Sequence, residues 1–328
     1  AGNFLHQELA ILTGAVEAMI VDVQCIMQAL VPLAQQFHTE IITTSPKARI
    51  TGATHLEFDE HRALDCAKEI IRRAVDNYPN RGKVHIPEVK ENLVAGFSHE
   101  YIAYMQGGYY RGSFRPLNDA IAQGRIRGAA AIVGCNNARV THDEATIEIA
   151  RQLIANDVLV VITGCAAHAT GKHGLMAPET MAHAGPGLRE VCEAIGIPPI
   201  LHVGSCVDNS RILTVLTQMA TEGGLGSDID DLPAVGICPE WMSEKAISIG
   251  TYCVASGAYV LFGVHSPVEA SEEVAQLIAQ GWEAKVGGKL EFEPDWRKIV
   301  EKALAHPNTK RAALGLAEYD PTRFGRSG

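Results

Sequence analysis

From about Ala120 onward the chain alternates two hydrophobic periods, and that alternation leaves few folds open. Short apolar runs rich in Val and Ile (AAAIVG, VLVVITG, PPILHVG, LPAVGIC, YVLFGV) are separated by longer stretches of helical period. A strand that is apolar on both sides needs cover on both faces, and the crossover helices of a parallel sheet provide it. In THDEATIEIARQLIAND, Ile147, Ile149, Ala150, Leu153 and Ile154 form one apolar stripe, and Thr141 with Glu144 has the spacing of a capping box. MAPETMAHAGPGLREVCEAIG, SRILTVLTQMATEGG and SEKAISIGTYCVASG read as further helices, and a last helical region follows YVLFGV. Strict alternation of this kind predicts a doubly wound α/β fold.

The first part reads as a smaller unit of the same class. AMIVDVQC, TEIITTS and KVHIPEV have the character of strands, with DEHRALDCAKEIIRRAVDNY a helix between the last two. A length of 328 residues fits about two domains, and the boundary is placed near residue 90. The expectation is two Rossmann-like domains, 1–90 and 91–328, with parallel sheets flanked by helices. GGYYRGSFRP (Gly107–Pro116) reads as a glycine-rich connector, and the polar tail EYDPTRFGRSG as frayed.

The strand ends are where chemistry is expected, because open parallel sheets bind ligands at the carboxyl ends of their strands. Of eight cysteines, Cys25, Cys135, Cys165 and Cys206 each follow an apolar run, with glycine close before the last three. The separations of 30 and 41 residues among those three match successive βα repeats. Helix N-termini directed at the same edge favour thiolates there. Eight cysteines in such a length are too few for a disulfide scaffold. Cys66, Cys192 and Cys253 read as mid-helix packing residues. Cys238 also ends a strand and is either a fifth ligand or structural. Convergent thiolates select zinc, copper(I) or iron–sulfur centres. No C-x-x-C pair of the structural zinc kind occurs, and four separate loops suit a large cluster better than one ion. His168, in Cys165-Ala-Ala-His168, is either a C-x-x-H ligand or a loop histidine bonded to a backbone carbonyl. Lys245 falls in the first turn of a helix that Ser243 would cap, where a cation opposes the helix dipole. It is either a solvated side chain or a cation aimed into the crevice to hold an anionic oxygen.

Several classes are set aside. The formal charge is −10 with no basic run, so no nucleic-acid partner is expected. VLVVI is far short of the ~20 apolar residues of a membrane span, and no basic segment followed by an apolar core marks a secretory leader. A cytoplasmic protein is expected. No G-x-G-x-x-G follows a strand, and AAHATGKH departs from a P-loop at Ala166 and His173.

VDVQC, GCNNARV, TGCAAHA, HVGSCVDNSRI and PEWMSEKAISIG together resemble the catalytic subunit of anaerobic nickel–iron carbon monoxide dehydrogenases, most closely the type associated with acetyl-CoA synthase. The likeness runs over nearly the whole chain except the last dozen residues. It implies a nickel–iron–sulfur (Ni-4Fe-4S) cluster that interconverts CO and water with CO2, two electrons and two protons. It further implies a ferredoxin-type electron carrier, a homodimer and an acetyl-CoA synthase partner. By the same likeness Cys25, Cys135 and Cys165 match ligands of the iron–sulfur part, and Cys206 the nickel-binding cysteine. Lys245 matches the lysine that hydrogen-bonds the substrate-derived oxygen, Ile249 an apolar wall beside the nickel, and Cys238 no ligand. Residues 1–90 then correspond to the middle domain, incomplete at its start, and 91–328 to the C-terminal domain. The family's helical region with further four-iron clusters, and its remaining cluster ligands, are expected ahead of this sequence. Two alternatives are a hybrid-cluster protein of the hydroxylamine reductase kind and a metal-free, non-catalytic scaffold that docks to partner subunits.

Overall fold

Parallel strands organise both parts of the chain. The computed structural model describes residues 3–108 and 111–322, and the chain divides into units 1–90 and 91–328. In the first unit β1 (Ala18–Val21), β2 (Glu40–Thr43) and β3 (Thr54–His55) form a parallel sheet in the order β1-β2-β3. Its core gathers Ile11, Val21, Leu30, Val31, Ala34 and Ile41. The helix Ala63–Asn77 follows β3.

The third strand differs from expectation. KVHIPEV forms no strand; Ile86 and Val89 are 63% and 77% exposed, and the stretch is tied by His85 N–H donating to the Thr13 carbonyl. The pairing place beside β2 goes instead to Thr54–His55, a segment too short to display a period.

In the second unit six parallel strands are β4 (Gly128–Ile132), β5 (Val158–Thr163), β6 (Ile200–Gly204), β7 (Ala234–Cys238), β8 (Tyr259–Phe262) and β9 (Lys289–Phe292). They lie in the order β6-β5-β4-β7-β8-β9. The chain winds outward from β4 to β6, then returns to the other side of β4 to begin β7. The topological switch point therefore lies between β4 and β7, where such sheets open a ligand crevice at the carboxyl ends. Ile132 of β4 pairs with Ile237 of β7, and Val133 N–H donates to the Ile237 carbonyl at 2.9 Å. Ile132, Ile149, Leu153, Ile154, Val158 and Ile162 are fully buried between sheet and helices.

Other local expectations are also revised. A helix, Gly164–Lys172, begins directly after β5, so His168 is on a helix rather than a loop. β9 was not foreseen, although KLEF alternates as an edge strand does. The capping box of Thr141 and Glu144 does not form. The helix is Glu144–Ala155, its N-cap Asp143 is left-handed at φ 65°, and its own side chain makes no cap. Cys66 is half-exposed rather than packed in a core. In the tail, Tyr319 is buried with its hydroxyl donating to the Asp157 carboxylate, so fraying does not extend that far in. The connector's residues 109–110 and the tail beyond 322 lie outside the described residues.

Candidate metal centre

Three of the four singled-out strand ends meet in the larger unit. Cys135 follows β4, Cys165 is the second residue of the helix after β5, and Cys206 opens a short 3-10 turn after β6. Backbone and side-chain bonds join these loops. The Gly134 carbonyl accepts from Ala166 N–H at 3.3 Å, which ties the Cys135 loop to the Cys165 helix. Buried Thr163 donates from Oγ1 to Asn209 Oδ1 at 2.6 Å, which ties the end of β5 to the helix Asn209–Glu222 behind Cys206.

Gly164 carries the tightest approach. Its φ is +61°, left-handed, and a Cβ built there would overlap the Cys206 sulfur. Only glycine accepts both the conformation and the sulfur. Cys238 borders the same place: a Cβ built at Gly134 would stand 3.8 Å from its sulfur. Burial pushes the Cys238 thiol well above its ordinary value, with Cys253, Cys135 and Cys206 acting in the same direction. A buried thiol held protonated suits packing, as the sequence resemblance implies. Burial likewise raises Cys253 to about 11 and Cys192 to about 12.

A buried carboxylate fastens this arrangement, and sequence reasoning missed it. Glu240, two residues past β7, has no exposed surface and accepts four hydrogen bonds. Asn136 Nδ2 donates to it at 3.1 Å and Thr146 Oγ1 at 3.1 Å. The backbone N–H groups of Asp143 and Thr146 donate at 3.2 and 3.3 Å. Glu240 thus caps the helix Glu144–Ala155 from across the sheet. Asn136 Nδ2 also donates to Asp143 at 2.6 Å, and Lys172, at the far end of the Cys165 helix, pairs with Asp143 at 2.7 Å. The one signal was a glutamate set between a proline and a tryptophan just beyond an apolar strand.

Lys245 lies in the first turn of the helix Glu244–Ala255, after β7. Its Nζ pairs with the exposed carboxylate of Glu244 at 3.1 Å. Ile249, one turn on, is half-buried. Partial burial and Lys172 depress the pKa of His168; the same burial effect, joined by His168, lowers that of His202. Cys25 belongs to the smaller unit, beyond the carboxyl end of β1 in its own sheet. Its φ of +54° is uncommon for a residue with a side chain, and its carbonyl accepts from Gln7 Nε2 at 2.7 Å.

The donor set decides what could be held. Among the described residues no three His, Cys, Asp or Glu side chains are grouped as a single metal ion requires. The thiols of the larger unit are neighbours through their backbones, on loops bonded to one another. Soft thiolates in that pattern fit a polynuclear iron–sulfur centre, whose ligands are cysteine thiolates. Among the described residues no helix is long and apolar enough to cross a membrane.

Comparison with known proteins accords with this chemistry. A family model described as Prismane/CO dehydrogenase matches residues 1–297. The carbon monoxide dehydrogenase 1 of Methanosarcina mazei is 52% identical over 318 residues, covering 96% of this chain and 50% of that protein. A nickel-free crystal structure of carbon monoxide dehydrogenase from Thermococcus sp. AM4 superposes with a TM-score of 0.87 at 51% identity, over 97% of this chain and 50% of that one. A structure of the alpha subunits of acetyl-CoA synthase/carbon monoxide dehydrogenase, containing NiZn[Fe4S4] and NiNi[Fe4S4] clusters, does so with a TM-score of 0.86 at 37% identity, over 96% and 49%. The chain spans about half the length of the curated relatives it matches.

Proposed function

The chain belongs to the Prismane/CO dehydrogenase family, and from that membership we propose that it forms part of a carbon monoxide dehydrogenase. The reaction is the interconversion of CO and water with CO2, two electrons and two protons. The observation that carries this reading is the joining of the Cys135, Cys165 and Cys206 loops at the carboxyl edge of the sheet, beside its switch point.

In this reading Cys25, Cys135 and Cys165 hold the iron–sulfur part of a nickel–iron–sulfur cluster and Cys206 holds the nickel. When bound, such a cluster supplies Lewis acidity toward water and storage for the electrons. The protein's own residues orient and shield. Lys245 Nζ presents N–H donors to the anionic oxygen that develops on the substrate. Its bond to Glu244 is solvent-exposed, with the two side chains 36% and 81% accessible. Such a pair is worth at most ~1 kcal/mol, so exchanging it for a substrate oxygen is cheap. Ile249 lies on the same helix face and excludes water from that side. Glycine at 164 keeps the Cys206 sulfur seated against the backbone that bears Cys165.

Units 1–90 and 91–328 serve as the middle and C-terminal domains of such a subunit. Further four-iron clusters and the remaining cluster ligands come from a preceding region, in keeping with relatives of twice this length. Electrons pass to a ferredoxin-type carrier, the subunit forms a homodimer, an acetyl-CoA synthase subunit is its partner, and the protein works in the cytoplasm. The unbroken GSCVDNSR and MSEKA motifs favour this reading over a hybrid-cluster protein.

The test is CO-dependent reduction of a viologen dye by the complete subunit that carries this sequence, prepared without oxygen. Wild type should reduce the dye and carry nickel, and Cys206→Ala should lose both. Iron without nickel, together with hydroxylamine reduction, would favour the hybrid-cluster reading. Protein holding neither metal would leave the docking scaffold.

A further inference from the structure

At the switch point the Cys135 loop after β4 lies against the segment 239–243 that leads from β7 into the Lys245 helix. Three successive contacts lace them together. Asn136 Nδ2 donates to Glu240 at 3.1 Å, Asn137 Nδ2 donates to the Trp241 carbonyl at 2.7 Å, and Cys135 Sγ stands 4.0 Å from Ser243 Oγ. Ser243 is the N-cap of the helix, with the extended backbone of a capping residue at φ −108° and ψ 158°. An N-cap serine ordinarily accepts from an N–H of the first turn. Here the side chain makes no capping bond; its hydroxyl faces the cysteine.

We propose that Ser243 is a positioning residue: its hydroxyl donates to the Cys135 sulfur of the bound cluster, setting the cluster's reduction potential and joining the Lys245 helix to a cluster ligand. The inference rests on the reading of Cys135 as a ligand. Between a thiol and a hydroxyl either group can donate. A metal-bound thiolate has no proton, so the hydroxyl must then be the donor. Hydrogen bonds to cluster sulfurs are among the determinants of potential. A reduced cluster carries more negative charge than an oxidised one, so the donor stabilises the reduced form and raises the potential.

The experiment is a redox titration of the anaerobically prepared holoenzyme, followed by electron paramagnetic resonance, for wild type, Ser243→Ala and Ser243→Thr. Iron content and thermal midpoint are measured alongside. Ser243→Ala should keep its iron and its thermal midpoint, because no cap is lost, while its potential moves to more negative values. Ser243→Thr keeps a hydroxyl and should move back toward wild type. An unshifted potential in a fully loaded Ser243→Ala protein would overturn the role of Ser243 and leave the assignment of Cys135 standing. A fall in thermal midpoint with no change in potential would make Ser243 an ordinary cap and overturn it equally. Wild type without any cluster would overturn both readings together.

Discussion

Gly164→Ala should cause two separable losses. The first is conformational: φ at Gly164 is +61°, and a residue with a Cβ gives up ~1–2 kcal/mol in the left-handed region. The second is steric, since the new methyl would overlap the Cys206 sulfur and overpacking of this kind typically costs ~1–3 kcal/mol. The sum is ~2–5 kcal/mol. Gly174 supplies the control, with φ at +75° and nothing within 4 Å of a built Cβ. Gly174→Ala should carry the conformational loss alone, ~1–2 kcal/mol. Urea unfolding of the two variants measures the difference. The pair Gly164→Ala/Cys206→Ala completes a double-mutant cycle, because removing the sulfur relieves the overlap and should recover the steric part. Displacing the sulfur should also lower the nickel content of Gly164→Ala and leave that of Gly174→Ala unchanged. Equal stabilities for the two alanine variants, and no coupling to Cys206, would refute the claim that this glycine seats the sulfur.

Glu240→Ala should destabilise the larger unit by at least ~3 kcal/mol in urea unfolding, because it strands buried donors on Asn136, Asp143 and Thr146; a loss below ~1 kcal/mol would show that water replaces the carboxylate. His306, its ring tilted against that of Tyr259 with centroids 4.7 Å apart, has its pKa lowered from 6.5 to about 4 by burial and by the nearby Lys310 and Lys289. The unfolded chain therefore binds the proton first, and stability present above pH 6.5 should drain away as the pH falls toward 4. His306→Phe should flatten that part of the stability profile, and an unchanged slope would assign it elsewhere. Lys245→Ala should lower CO oxidation by ~10²–10³ with nickel retained; retained activity, or lost nickel, would remove the lysine from the chemistry.

Much of the larger unit was legible because its strands are buried on both faces, so β5 appears as the apolar run VLVVI and β8 as YVLF, each ending abruptly. Cysteines placed just past such ends could be read as neighbours before any coordinates. Segments with little amphipathic contrast were harder. The helix Gly164–Lys172 buries Ala166, Ala167, Ala169 and Thr170, small residues that leave no stripe in the sequence. Lys83–Val89 alternates as a strand does, yet pairing is a tertiary outcome, and β2 found its partner in Thr54–His55. Contacts across loops were not legible at all. Nothing local says that Glu240 caps a helix almost a hundred residues earlier, or that Gly164 and the Cys206 sulfur touch. The Ser243 N-cap was readable from its place before a helix; that its hydroxyl turns to Cys135 was not.

In the proposed function, cysteines of this chain hold a nickel–iron–sulfur centre. The most direct test is elemental analysis of protein carrying this sequence, prepared without oxygen, beside Cys135→Ala, Cys165→Ala and Cys206→Ala variants of matched fold. Iron and nickel are expected together in the wild type, with selective loss of nickel in Cys206→Ala and loss of iron as well in the other two. Nickel retained in full by Cys206→Ala, or iron unaffected by all three substitutions, would contradict the proposed function.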